Sequence, residues 1–74
     1  MDYRVYFNQH SDFPYVGSID TGDDTEEINV KTIEIIGACG EKIQSYYRPE
    51  RQPKFWLQVS GELKIIDGHA VITQ

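Results

Sequence analysis

A chain of 74 residues has room for one domain, taken here as residues 1–74. With 39% apolar and 26% charged residues it is too apolar for a disordered acidic tail and too interrupted by charge for a membrane span. Twelve acids against seven bases give a net charge of −5, and no basic segment followed by an apolar one opens the chain, so a cytoplasmic protein is expected.

Strand-forming residues dominate. Nine Ile, five Val and four Thr stand against two Leu, two Ala and one Met. β-Branched side chains lose rotamer freedom in helices and pack well on a pleated surface, so the expectation is all-β. Ordering costs roughly 1.5 kcal/mol per residue, which apolar burial only just exceeds at this size. Cys39 is the only cysteine, so no disulfide staples the chain. Stability must come from nearly complete burial of the Ile, Val and aromatic set, or from self-association.

In chain order, Tyr3 to Phe7 alternates, with Tyr3, Val5 and Phe7 on one face, the pattern of a half-buried strand. Asn8 to Pro14 reads as a loop and Tyr15 to Ile19 as a short second strand. Asp20 to Glu27 carries five acids around a glycine and reads as a solvated loop. Ile28 to Ala38 is the strongest strand signal, but its apolar parity switches near Thr32, which suggests a bulge or burial of both faces. Gly37 to Gly40 marks a turn, and Glu41 to Arg48 alternates again. Arg48 to Pro53 reads as an extended connector. Lys54 to Ser60 puts Phe55, Leu57 and Val59 on one face and Trp56 and Gln58 on the other.

Asp67-Gly68 between apolar runs predicts a two-residue hairpin, because a type I′ turn needs positive φ at both central positions. The register then pairs Ile66 with His69, Ile65 with Ala70, Lys64 with Val71 and Leu63 with Ile72. Six to seven short strands with turns every 8–12 residues predict a small antiparallel sandwich or barrel closed by this C-terminal hairpin.

Residues that carry chemistry are sparse. Cys39 with His10 or His69, or Ser11 beside His10, are the only nucleophile and base candidates. Adjacent residues on an extended chain point apart, and a cysteine between small residues in a glycine turn reads as a filler. His10, Cys39 and His69 lack the paired spacing of a zinc site. The acidic loop offers oxygen ligands, but not at the spacing of a helix–loop–helix calcium site. The expectation is a non-enzymatic protein without metal or cofactor.

Charge is divided unevenly. Residues 1–41 hold nine acids and two bases, a net −7, whereas residues 42–74 hold three acids and five bases, a net +2. Asymmetry of this kind points to a partner. One reading places the site on Asp20, Asp23, Asp24, Glu26 and Glu27, with Asp12 as a neighbour. These carboxylates would meet a basic groove on another protein, standing where phosphates otherwise lie, as a nucleic-acid mimic does. The alternative is a single-strand nucleic-acid platform built from Lys42, Tyr46, Arg48, Arg51, Lys54 and Trp56, with Tyr47 and Phe55 nearby. The net charge of −5 opposes nucleic acid at long range and favours the protein partner.

Val5-Tyr6-Phe7-Asn8, the run from Pro14 to Gly22, and Glu27-Ile28-Asn29-Val30 resemble small proteins encoded by tailed phages and related mobile elements. The stretch from Trp56 to Gly61 is similar in tone, while Gly17 departs from a pattern that puts a large aromatic there. The resemblance implies an accessory protein of the bacterial host cytoplasm that blocks a host protein, such as a nucleic-acid-binding defence or transcription factor.

Overall fold

The computed structural model describes residues 2–8, 13–22, 27–49 and 56–74. It is all-β, with eight strands: β1 (Asp2–Phe7), β2 (Gly17–Asp20), β3 (Glu27–Val30), β4 (Thr32–Ile36), β5 (Lys42–Tyr46), β6 (Trp56–Ser60), β7 (Glu62–Ile66) and β8 (His69–Thr73). They form two four-stranded sheets, ordered β3-β2-β1-β6 and β5-β4-β8-β7. Alternation sets the inner faces. Tyr3, Val5 and Phe7 of β1 are buried, and so are their neighbours Ile19 and Val59. The second sheet contributes Ile33, Ile35, Tyr46, Ala70 and Ile72 to the same cluster. The sheets meet directly where the ring of Phe7 on β1 lies 4.7 Å from that of Tyr46 on β5, tilted by 49°. Such tilted pairs add roughly 0.5–1.5 kcal/mol to their area burial.

The C-terminal hairpin has the register its turn dictates, Ile66 to His69 through Leu63 to Ile72, with Asp67 and Gly68 both at positive φ (51° and 78°). Ala70 and Ile72 are buried, Leu63 and Ile65 pack on the core, and Ile66 faces outward at 72% exposure.

Two expectations need correction. The apolar run from Ile28 to Ala38 is two strands, not one, which raises the count to eight. Its parity switch is a passage between sheets: Val30 is an inner residue of the first sheet and Ile33 of the second, and an odd spacing between inward residues demands a turn of the chain. Lys31 is that corner, and its amide donates to the Gly68 carbonyl at 2.6 Å, tying the crossing to the hairpin turn. The bulge lies further on, where Ile35 pairs with Gln44 but Ile36 with Lys42, leaving Ile43 as the extra residue.

The architecture is also not purely antiparallel. β4 and β8 pair in parallel, Thr32 with His69 through Ile36 with Thr73, joining the β4–β5 and β7–β8 hairpins into one sheet. A second corner at Gly61 carries the chain from β6 to β7. Its φ of 147° is open only to glycine, and a Cβ there would run into the Thr73 carbonyl. Gly17 sits with its Cβ position against the Tyr6 carbonyl and leaves no room for a side chain.

Candidate partner-binding face

The outer face of the first sheet gathers most of the chemistry. Register fixes its rows. Glu27, Asp20, Arg4 and Gln58 lie side by side across β3, β2, β1 and β6, and Asn29, Ser18, Tyr6 and Trp56 form the next row. Asp2 and Ser60 begin a third. Strand alternation places all of these opposite the core residues, so a local pattern and a long-range pairing together build the face.

Arg4 stands at its centre. Its guanidinium donates to the Tyr6 hydroxyl at 3.4 Å and lies 5.1 Å from the centroid of the Trp56 ring, within cation–π range. The hydrogen bond to Tyr6 and the charge of that phenol, with a further contribution from Asp20, hold the Arg4 pKa above its ordinary value. Trp56 is 48% exposed, so about half of this large side chain remains open to solvent.

Carboxylates border this aromatic and cationic centre, each held by neutral donors. The Ser60 hydroxyl donates to Asp2 at 2.6 Å, and the Gln58 amide approaches the other oxygen at 3.5 Å. The Gly22 amide donates to Asp20 at 2.9 Å. The hydroxyl of Ser18, itself fully buried, donates to Glu27 at 3.2 Å. Asp20 and Glu27 are direct register partners on one face, a like-charge pairing that costs stability. Lys42 and Glu34, both among the described residues, form an ion pair at 3.8 Å on the second sheet. That pair is exposed and contributes little.

Of the acidic set expected from sequence, the structure places Asp20 and Glu27 on this face. Asp23, Asp24, Glu26 and Asp12 lie outside the described residues. Of the rival basic and aromatic set, the described members Lys42, Tyr46, Arg48 and Trp56 do not share one face. Trp56 is on the outer face of the first sheet, whereas Lys42 is on β5 of the second. Tyr46 is a core residue at 8% exposure, so its ring face is spent on Phe7 rather than open to a base. Arg48 lies over Tyr47 at 5.7 Å, beyond the end of β5. Arg51 and Lys54 fall outside the described residues.

Sequence reasoning missed Asp2, Arg4 and Tyr6 as members of the face. Alternation already put Arg4 and Tyr6 on the outer side of β1, but nothing local showed that Trp56, fifty positions on from Tyr6, would pair beside them.

Cys39 and His69 lie toward opposite ends of β4: His69 pairs with Thr32 at its start, and Cys39 follows its end in a turn. The His69 Nδ1 is 2.8 Å from the Thr32 hydroxyl, and the Cys39 amide donates to Glu41. Among the described residues no three His, Cys, Asp or Glu side chains cluster as metal ligands, and no helix is long and apolar enough to cross a membrane. No family model, curated protein or solved structure matches the chain.

Proposed function

We propose that this protein acts by binding another protein, one with a basic surface, through the outer face of its first sheet. The observation that carries the reading is the composition of that face: an Arg4–Tyr6–Trp56 centre bordered by Asp2, Asp20 and Glu27. Trp, Tyr and Arg are the side chains that most often dominate binding energy at interfaces, and a charged border steers encounter and selects the partner. The like-charge pair Asp20 and Glu27 is a local cost to folding that a cationic partner relieves. A partner groove that otherwise holds nucleic acid offers the matching charge, and occupying it blocks that protein. The resemblance to small phage proteins is in keeping with such an inhibitor working in a bacterial cytoplasm.

The test is capture and identification of a partner from bacterial lysate, followed by titration of the purified partner. Neutralising Asp20, Asp23, Asp24, Glu26 and Glu27 to Asn or Gln is expected to leave the fold intact and abolish binding. Trp56→Ala alone is expected to cost about 2 kcal/mol or more. Unchanged binding by the neutralised variant would exclude the reading. Salt-sensitive quenching of Trp56 by oligonucleotides, lost in an Arg48→Glu, Arg51→Glu double variant, would replace it with nucleic-acid binding.

A further inference from the structure

Each sheet leaves two strands at its margins, and these differ in how they are protected. In the second sheet β5 is bulged at Ile43 and carries Lys42, and β7 has the exposed Lys64 at its middle. Bulges and edge lysines are the usual guards against unwanted strand addition. In the first sheet β6 has its inward residues already covered, with Val59 buried and Leu57 packed on the core.

The β3 edge differs from all three. It contains neither lysine, proline nor bulge, and among the described residues no strand pairs with its outer side. Ile28 points to the core face as the register partner of the fully buried Ile19, yet remains 40% exposed because the sheet stops there. Glu27 and Asn29, on either side of it, face outward, and Glu27 stands beside Asp20. An edge strand leaves alternate N–H and C=O groups without a ladder partner.

We infer that β3 takes an extended peptide segment of a basic partner as a fifth strand of the first sheet, with an apolar residue against Ile28 and a cationic one against Glu27. The inference rests on the protein-binding reading above and adds its mode. Main-chain hydrogen bonds along β3 supply affinity, and side-chain alternation supplies selectivity. The apolar residue of the added strand extends the core over Ile28. Its cation sits in the Glu27–Asp20 row and relieves the repulsion there. A second copy of this chain offers no cation to the Glu27–Asp20 row through its own β3, since that strand carries Glu27 and no basic residue.

The test uses a capped five-residue peptide alternating lysine and valine, beginning with lysine, and the same peptide with its first two lysine amides N-methylated, which removes donors that an antiparallel strand turns toward Glu27 and Asn29 while keeping charge and side chains. The unmethylated peptide is expected to slow amide exchange across residues 27–30 and to bind about tenfold more tightly than the methylated one, as two lost hydrogen bonds imply. Ile28→Lys, a change at a partly exposed edge position, is expected to abolish binding of the unmethylated peptide. Equal binding of the two peptides would overturn the edge inference and leave the acidic-face reading standing. Absence of binding by either peptide at low ionic strength would overturn the edge inference, with the acidic-face reading then decided by the neutralised variant and its partner. A dimer with protected β3 amides in the absence of peptide would overturn it in favour of self-association.

Discussion

Tyr46 is 8% exposed against Phe7, and burial pushes its phenol pKa above the ordinary 10.0. A raised pKa in the folded state means that the folded chain holds its proton when the unfolded chain has released it. The stabilisation is therefore complete below pH 10 and is lost as pH rises through the folded value. Thermal melts from about pH 8 to 11 are expected to show the midpoint falling at the alkaline end, with a shallower fall in Tyr46→Phe. The sequence placed Tyr46 among basic neighbours because Lys42 and Arg48 are near in the chain. What decides its role is its pairing with Ile33, an inner residue of β4, which turns it into the core. Sequence proximity describes charge well and burial poorly when a strand has polar residues on both faces.

The C-terminal hairpin is the element most legible from sequence, because turn chemistry and alternation are both local and both give the same register. Ile65 faces the core and pairs with the buried Ala70. Ile65→Asp is expected to destabilise by about 3 kcal/mol, by setting a charge against an apolar core. Gly68→Val is expected to cost about 1 kcal/mol or more, because φ is 78° and the new side chain would press on Lys31. Denaturant melts of the two variants check both values, and wild-type midpoints in both would contradict the hairpin's packing. The β3–β4 segment was legible as strand but not as two strands. A parity switch looks the same whether it marks a bulge or a passage between layers, and only the second sheet, assembled from distant residues, distinguishes them.

At the scale of the molecule, the charge division along the chain becomes a division between sheets. The strands of the first sheet carry Asp2, Arg4, Asp20 and Glu27, an acidic excess, whereas those of the second balance Glu34 and Glu62 against Lys42 and Lys64. The chain halves and the sheets do not coincide, since β4 leaves the acidic half for the second sheet and β6 leaves the basic half for the first. That exchange is why Trp56, from the basic half of the chain, stands beside Arg4 from the acidic half. An acidic face on a protein of net charge −5 should accelerate encounter with a basic partner at low salt. Stopped-flow association rates are expected to fall steeply with ionic strength while dissociation rates change little; salt-independent association would contradict electrostatic steering.

The parallel pairing of β4 with β8 also bears on the order in which the molecule can assemble. Thr32 and His69 are 37 positions apart, so the central seam of the second sheet closes only after the hairpin residues have emerged during synthesis. The β1–β2–β3 meander has no such delay. Its contacts are near in sequence, and loop-closure entropy favours their forming first. Until β8 arrives, Ile33 and Ile35 have no neighbour on that side, and the nascent chain presents an apolar strand margin to whatever surrounds it. A small fold of this kind is thus exposed to aggregation for a period set by translation rather than by its own stability.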